Sequence, residues 1–537
     1  MRNTFLPIIA ILICIQCASL TTPTGGPKDR IPPQLIASNP KPNQTNFRGK
    51  TVELSFDETV KLNSPKEEII ISPSPGAEIE IKSKGTKVTI TPKNGWKDTT
   101  TYSLTFREGI QDITESNTPL NLKLAFSTGP LIDSLRLAGT VYDILDGIPR
   151  DKITVAIYQA DTFDIFTDAP KYFTKTDKLG KFKLENIKAG AYRIYAFDDK
   201  NKNLKTESRN EMYGFLSHTL QLSKHLDSLN IGLVRLDTRQ LKLSSIRNVG
   251  NITRLRFNKS IYDYSAQSSI DVTNSLVNNQ TEIVFWNPEG DSVQLHFSAT
   301  DSVQNKIDTS FYVKKTSIKP IAERFTWSMG TPSVDPENGK FTTTFRFSKP
   351  ITTINFDSLS IKIDSAHQVA ISKKDFEFNS RGREATLTKH LDKKLFGNDS
   401  DPRLILRAGK AFINTIDGDT SRVLLSPVLI YWPEENAVIS FQVQTKEKDY
   451  IIQIVDKNTK KIVLSLVNPT KFTAKNIPPS HYQIRIIVDS NRNGRWDPGN
   501  IKINQEPERI IYYRSTEGAS NFPVRANWEL GPLVIKF

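Results

Sequence analysis

Apolar and polar residues alternate strictly in several stretches of this 537-residue chain, which limits those stretches to half-buried β-strands. The pattern is clearest in Glu78–Pro92 (EIEIKSKGTKVTITP), where two alternating runs flank Ser83, Lys84 and Gly85. This segment predicts a hairpin with one buried face. Further strands are predicted by similar alternation at 101–106, 254–257, 342–347, 450–455 and 483–488.

Long amphipathic helical patterns are almost absent, and Gln221–Leu229 is at best one short helix. Many short strands separated by Gly, Pro and Asn turns are typical of β-sandwiches. The hydrophobic content of 37% suffices for packed cores. The length predicts three to six domains. We therefore expect an all-β chain of tandem β-sandwiches in an elongated array.

The first residues indicate export. Arg2 precedes an apolar run, Phe5–Gln16, that is shorter than the roughly 20 residues needed to cross a bilayer but suits a signal peptide. The run ends at Cys17, and a Thr-, Gly- and Pro-rich tether follows. This arrangement resembles a bacterial lipoprotein signal, which implies that Cys17 is lipidated. The alternatives are an ordinary secretory peptide or an anchor helix. Gln16 departs from the usual small residue, and Cys14 is another candidate acceptor.

The cysteine content narrows the chemistry of the remaining chain. Cys14 and Cys17 are its only two cysteines, so residues after 17 contain no disulfide, thiol nucleophile or cysteine-based metal site. The net charge is +14, but lysine and arginine are interleaved with acidic residues along the chain. There is no basic helix and no basic–aromatic motif, so we expect no nucleic-acid partner.

A first repeat combines a strand ending in Phe with polar residues and a second apolar stretch. It occurs as LSFDETVKL at 54–62, LRFNKSIYD at 255–263 and FRFSKPITT at 345–353. The first copy, together with IPPQLIASNP from Ile31 and LAFSTGP at 124–130, resembles the Ig-like domain of bacterial surface proteins, the S-layer-type family. The leader from Cys17 to Asp29 is similar to that of Ig-like lipoproteins of the Bacteroidota. These resemblances imply a β-sandwich in the cell envelope and no reaction.

A second repeat joins a strand, a turn, a strand led by tyrosine and an Asp/Asn loop. Its copies are 184–203 and 472–493. With residues 175–184, the first copy resembles transthyretin-like, carboxypeptidase-regulatory-like sandwiches, which are accessory modules of exported proteins.

The two repeats predict a domain map. It comprises a lipoprotein signal peptide at 1–17, a flexible tether at 18–30, an Ig-like domain at 31–130, a transthyretin-like β-sandwich at 131–237, Ig-like β-sandwiches at 238–317 and 318–435, and a transthyretin-like β-sandwich at 436–537.

The Asp/Asn loop of the last domain has the spacing of an EF-hand-type calcium loop, with Gly494 at the sharp turn. The candidate ligands are the side chains of Asp489, Asn491, Asn493 and Asp497 and the carbonyl of Arg495. Position 12 is Asn500 where an EF-hand has a bidentate glutamate, so any affinity is expected to be weak. The alternative is a loop whose Asn and Asp side chains bond their own backbone.

The matching loop of the second domain offers Asp199, Asn201, Asn203, the Lys205 carbonyl and Glu207 at the same offsets. Its sixth position is Leu204 in place of glycine. We expect both loops to be structural braces, with calcium as a weak structural cofactor.

The sequence contains no recognised catalytic signature. HExxH, G-x-S-x-G and Walker-type phosphate loops are all missing, so we predict no catalytic residues and no enzyme activity. The predicted function is a lipid-anchored scaffold of the cell outer membrane, for example an accessory subunit of an assembly or transport complex. Its partners would be the bilayer and other envelope proteins. The alternatives are a glycan-binding adhesin, with Trp496 as the best sugar-stacking candidate, and a polysaccharide-active enzyme.

Overall fold

The computed structural model describes residues 28–76, 78–160, 163–206, 211–270, 272–277, 280–286, 292–318, 325–379, 383–396, 402–515 and 518–537. Strands dominate these ranges, which confirms the all-β prediction. They form five consecutive groups, here called domains 1 to 5, and every described sheet stays within one group. The domain boundaries remain predictions. The predicted signal peptide, Cys17 and most of the tether lie outside the described residues. Among the helices that are described, none has the length and apolar character to cross a membrane.

Domain 1 contains the predicted hairpin, whose turn uses Gly85 at φ +58°. Its strands form the sheets β1-β2-β6-β5, β4-β7-β9 and β3-β8, with one short helix, α1. The elements are β1 Leu35–Asn39, β2 Val52–Phe56, β3 Val60–Leu62, α1 Pro65–Glu68, β4 Ile70–Ser72, β5 Ile79–Lys84, β6 Lys87–Pro92, β7 Thr101–Thr105, β8 Ile110–Asp112 and β9 Lys123–Ser127. Alternate residues of β2 (Val52, Leu54 and Phe56) are buried in its core, as the period of two predicts.

Domain 2 follows the sheet order β12-β11-β14-β15-β17-β10-β13, with β16 beside β14. Its first and last strands, β10 and β17, pair in parallel. The strands are β10 Leu135–Asp143, β11 Thr154–Gln159, β12 Tyr172–Lys175, β13 Lys181–Ile187, β14 Gly190–Phe197, β15 Met212–Phe215, β16 Leu220–Leu222 and β17 Leu226–Arg235. The short helix considered for Gln221–Leu229 is therefore wrong. Leu220 and Leu222 are buried on either side of an exposed Gln221, which is a strand pattern.

Domains 3 and 4 carry the other two copies of the first repeat. Domain 3 has the sheets β18-β19-β22-β21 and β20-β23-β24. Its strands are β18 Leu243–Val249, β19 Ile252–Phe257, β20 Asp263–Ser268, β21 Thr273–Val277, β22 Glu282–Trp286, β23 Val293–Thr300 and β24 Lys306–Val313. Domain 4 runs from β25 Trp327–Met329 through β26 Ser333–Asp335, β27 Lys340–Phe347, β28 Ile351–Ile354, β29 Leu359–Lys362, β30 Gln368–Ala370, β31 Phe376–Phe378, β32 Glu384–His390, β33 Ile405–Ala408, β34 Ile413–Thr415 and β35 Leu424–Pro427 to β36 Leu429–Ile430. Short 3₁₀ turns lie at Phe356–Ser358, Lys373–Asp375, Lys393–Phe396, Pro433–Glu435 and, in domain 5, Ile501–Ile503.

Domain 5 repeats most of the strand pairing of domain 2, but among its described residues it lacks the equivalent of the β15–β17 pairing that joins the strands of domain 2 into one sheet. Its sheets are β40-β37-β44 and β39-β38-β41-β42, with β43 beside β41, and β37 again pairs in parallel with the last strand. The strands are β37 Ala437–Gln444, β38 Tyr450–Asp456, β39 Ile462–Val467, β40 Lys471–Ile477, β41 Ser480–Val488, β42 Ile510–Tyr512, β43 Phe522–Val524 and β44 Glu529–Lys536. The buried tyrosines of the two Tyr-led strands make the same bond, since Tyr192 and Tyr482 each donate to the carbonyl four residues earlier, at 2.9 and 2.8 Å. The second repeat is therefore structural as well as sequential, although its transthyretin-like assignment stays a prediction.

The first repeat places a lysine at the same position in domains 3 and 4. Lys259 is buried and pairs with the buried Asp301, while Lys349 reaches Asp417 and Asp419 at 2.6 and 2.5 Å. In domain 1 the corresponding residue is Glu58, so this ion pair is confined to the later two copies.

The array of sandwiches folds back, because domain 5 packs against domain 2. A single hydrophobic cluster joins Ala156, Tyr158 and Phe197 of domain 2 to Ile451, Ile487 and Ile510 of domain 5, and it includes Val303 of domain 3. Strands β11 and β38 are consequently buried on both faces. Domain 5 therefore meets the consecutive domains 2 and 3 at one junction, although it is distant from both in sequence.

Candidate functional site

The Asp/Asn loop of domain 5 begins at Asp489, immediately after β41. Its buried carboxylate accepts the backbone N–H of Asn493 at 3.1 Å and of Gly494 at 2.8 Å. Gly494 has φ +75°, a left-handed conformation that suits the sharp turn predicted at this position. The first candidate ligand is thus positioned by the loop that it closes.

The amide side chains of the loop converge on Asp497. Asn491 and Asn493 both donate from Nδ2 to Asp497 Oδ2, the latter at 2.6 Å. The Asn493 Oδ1 atom accepts the N–H of Arg495 at 3.1 Å. The structure therefore brings together all five predicted residues, in the self-bonded form described above as the alternative to calcium binding.

Glu508 is the residue of this loop that the sequence spacing missed. Its carboxylate accepts the N–H of Ser490 at 2.7 Å and of Asp497 at 3.0 Å, which ties both ends of the loop together. Burial raises the pKa of Glu508, and the negative charges of Asp497 and Asp489 raise it further. No EF-hand spacing points to a residue so far along the chain, because the contact depends on the return strand β42.

The loop of domain 2 has the same construction. The Asp199 carboxylate accepts the backbone N–H groups of Asn203 and Leu204, each at 3.0 Å. The backbone N–H of Lys205 donates to Asn203 Oδ1 at 2.8 Å. Leu204 adopts φ +59°, so this loop makes the sharp turn without glycine.

A buried glutamate braces this loop as well. Glu211 accepts the N–H of Lys200 at 3.1 Å, in the same way that Glu508 accepts that of Ser490. Burial raises the pKa of Asp199. Asn201 Oδ1 accepts the N–H of Asn203 at 3.2 Å, whereas Glu207 lies outside the described residues.

The loop of domain 5 also forms the three-domain junction. The Arg495 guanidinium lies 3.6 Å from the centre of the Tyr262 ring of domain 3, a cation–π geometry. Asn500 Nδ2 donates to the Val303 carbonyl of the same domain. Toward domain 2, Glu506 accepts the N–H of Ser217 at 2.6 Å. Position 12 of the loop is therefore used for docking, which explains why it holds an asparagine.

Trp496 folds inward as part of this junction. It packs in the shared hydrophobic cluster, and its Nε1 donates to the Glu508 carbonyl at 2.9 Å. Trp496 also forms a wall of a cavity of about 530 Å³ that is otherwise lined by domain 2 residues. The ring is thus engaged in packing and does not project as a sugar-stacking platform.

The small number of carboxylates in each loop limits how it could hold a metal ion. Across the described ranges, no group of three or more His, Cys, Asp or Glu side chains is arranged to hold a metal ion. A calcium ion at either loop would therefore need amide and carbonyl oxygens as ligands in addition to the carboxylates. Calcium binds oxygen ligands of all these kinds.

Comparison with known families identifies one segment of the chain. Residues 29–128 match a family described as a bacterial Ig-like domain. This match confirms the Ig-like interpretation of domain 1. A comparison with curated proteins found no match.

Three solved structures are distantly similar to this chain. The S-layer protein SbsC is 12% identical, with 91% of this chain and 67% of that chain covered and a TM-score of 0.15. The Bacillus cereus major pilin subunit BcpA is 10% identical, with 76% and 99% covered and a TM-score of 0.13. A DUF3823 family protein from Bacteroides uniformis is 10% identical, with 35% and 100% covered and a TM-score of 0.12. Scores this low support no inference about function.

Proposed function

We propose that this protein is a lipid-anchored scaffold of the bacterial outer membrane that organises an assembly or transport complex. The observation that carries the proposal is the junction of domains 2, 3 and 5. It holds domains 2, 3 and 5 against one another in a folded-back arrangement, and a rigid array of this kind presents several surfaces to partners at set positions. In the described parts of the two Asp/Asn loops, no side chains combine into a nucleophile–base pair, and we propose no catalysis.

The anchor in this proposal is an acylated Cys17, followed by the tether. The signal-like apolar run Phe5–Gln16 suits an envelope location, and the Ig-like match of residues 29–128 is to a bacterial family. Because Trp496 is engaged within the junction, no specific observation favours the glycan-binding alternative.

The scaffold proposal is tested by isolating the full chain, tagged at its C-terminus, from envelopes of its native host in mild detergent. We expect a reproducible set of co-purifying envelope proteins that is lost in a Cys17→Ser variant, since that variant lacks the acyl anchor. A protein that purifies alone from wild-type envelopes would contradict the scaffold function. Retention of the Cys17→Ser chain in the membrane fraction would contradict the anchor.

We further propose that each Asp/Asn loop binds one calcium ion weakly and so stiffens its surroundings. At domain 5 the ligands would be Asp489, Asn491, Asn493, Asp497 and the Arg495 carbonyl. At domain 2 they would be Asp199, Asn201, Asn203, Glu207 and the Lys205 carbonyl. Binding would turn the amide oxygens of the asparagines toward the ion. The supporting observation is that both loops place two asparagines and an aspartate around one turn, with the aspartate buried in domain 5 and partly buried in domain 2.

Calcium is expected to protect the amides of residues 489–499 from hydrogen exchange with a Kd of about 10⁻⁴ to 10⁻³ M, the range of extracellular modules. At about ten times that Kd, bound calcium should stabilise the loop by about 1.4 kcal/mol. Asp497→Ala should abolish the protection at this loop and leave that of the domain 2 loop intact. Asp98→Ala is the matched control, because Asp98 is exposed and lies in domain 1. Equal protection in wild type and Asp497→Ala would contradict the site.

A further inference from the structure

Strand β39 forms an apolar edge of domain 5. Its sequence, Ile462–Val467 (IVLSLV), contains no charged residue, and within the described residues it pairs only with β38. Three of its side chains are unusually exposed for aliphatic residues: Ile462 at 48%, Val463 at 40% and Val467 at 58%. An open, apolar edge strand is a template for pairing with another chain, and proteins normally protect such edges.

The repeat shows how the equivalent edge is protected in domain 2. Strand β12 occupies the position of β39, next to β11 as β39 is next to β38. Strand β4 of domain 1 packs against β12, and Ser72 Oγ accepts the N–H of Phe173 at 3.2 Å. The edge of β12 is therefore covered by a short strand of a neighbouring domain.

Residues of opposite charge lie on the two sides of the contact between domain 1 and domain 2. Glu67 and Glu68 directly precede Ile69 and β4, and Glu67 pairs with Lys202 of domain 2. Glu68 lies 3.8 Å from Lys152, also of domain 2. An apolar strand with acidic residues at its start thus covers a basic-flanked edge.

The edge of β39 also has lysines beside it, at positions of its own, and has no cover from this chain's neighbouring domain among the described contacts. Lys460 and Lys461 precede it, Lys471 follows it, and all three are exposed. Among the described contacts, domain 4 approaches the other sheet of domain 5 through Glu337 and Lys475, at 2.5 Å. In the described contacts, domain 4 therefore does not shield β39 as domain 1 shields β12.

We infer that β39 is a docking edge for an extended, apolar, acid-flanked segment of a partner protein, which adds a strand to the sheet. The inference rests on the scaffold function proposed above and names the class of its partner. A second copy of this chain is a poorer occupant, because antiparallel pairing of two β39 strands would bring lysine flanks together on chains that each carry a charge of +14.

The test uses the purified full chain and a fluorescein-labelled peptide with the sequence of residues 67–72 (EEIIIS), the acid-flanked strand of domain 1. We expect saturable binding by fluorescence anisotropy that weakens as salt is added, together with slower hydrogen exchange in residues 462–467. A peptide with lysines in place of both glutamates should bind at least tenfold more weakly, because its flanks meet lysines.

The variant Val463→Lys/Val467→Lys should weaken peptide binding by at least tenfold, while Val534→Lys should not. Val534 is the matched control, an exposed valine of domain 5 on β44. Unchanged exchange outside 462–467 establishes that the double variant is folded. Binding that the double variant retains, or no saturable binding by wild type, would overturn the inference. Concentration-dependent dimers with residues 462–467 protected would overturn it in favour of a second copy. If the full chain binds the peptide but co-purifies with no envelope proteins, the scaffold function is contradicted and the docking edge is not.

Discussion

Lys259→Met is expected to destabilise domain 3 by about 3–5 kcal/mol, the cost of leaving a buried charge without its partner. Only 5% of the Lys259 side chain and 2% of the Asp301 side chain are exposed. Lys259 Nζ also donates to the Asp237 carbonyl at 2.8 Å, so the variant loses a second buried bond. The remaining bonds to Asp301 come from Val303 and Asn305, which are neutral donors.

The measurement is native-state hydrogen exchange of strands β18 to β24, because a five-domain chain does not unfold as one two-state unit. Lys306→Met is the matched control, an exposed lysine of the same domain whose change should stay within about 0.5 kcal/mol. Lys349→Met should cost less than Lys259→Met, since Asp417 and Asp419 of domain 4 are 28% and 42% exposed and water can solvate them. Equal protection in Lys259→Met and wild type would show that the pair is not needed.

Tyr512→Ala is expected to weaken the docking of domain 5 on domain 2 by about 2–4 kcal/mol, as for an aromatic anchor at an interface centre. The Tyr512 hydroxyl donates to the Ile144 carbonyl at 2.7 Å. Its ring lies against Gly147, so closely that a Cβ at that position would be 2.8 Å from the ring. Burial raises the pKa of Tyr512, which keeps the hydroxyl protonated as a donor at neutral pH.

Faster hydrogen exchange of residues 143–147 and of the loop residues 489–509 between β41 and β42 is the expected signature of Tyr512→Ala. The core of domain 5 should retain its protection, because the backbone pairing of β41 with β42 does not depend on the tyrosine ring. Tyr312→Ala, at a 48% exposed tyrosine of domain 3, is the control and should leave both segments unchanged. If Tyr512→Ala behaves like the control, the docking does not depend on this contact.

The strands and the repeats could be predicted because both follow from local pattern. Alternation predicted the hairpin β5–β6, and the Tyr-led repeat located the two sandwiches of matching topology. The folding back of domain 5 was not predicted. The alternation assigned to 450–455 predicted a half-buried strand, whereas the structure buries β38, like β11, on both faces. The nearly continuous apolar run YIIQIV at 450–455 was the signal available in the sequence, because a sandwich strand with one face in water should alternate.

The candidate loops could likewise be predicted only in part from the sequence. The five residues at 489–497 come together because a short loop places alternate side chains at one centre. Glu508 and Glu211 could not be foreseen, because each reaches its loop from the following strand region. The docking roles of Arg495 and Asn500 depend on the position of domain 3, which no local pattern in the loop encodes.

The distance between domains 2 and 5 tests the folded-back scaffold most directly. Exposed Lys178 and Lys446 would be changed to cysteine and spin-labelled, in a chain whose Cys14 and Cys17 are replaced by serine. The folded-back arrangement predicts one narrow distance distribution that broadens in Tyr512→Ala. A broad distribution in the parent chain, unchanged by Tyr512→Ala, would contradict it and leave five sandwiches joined only by their linkers.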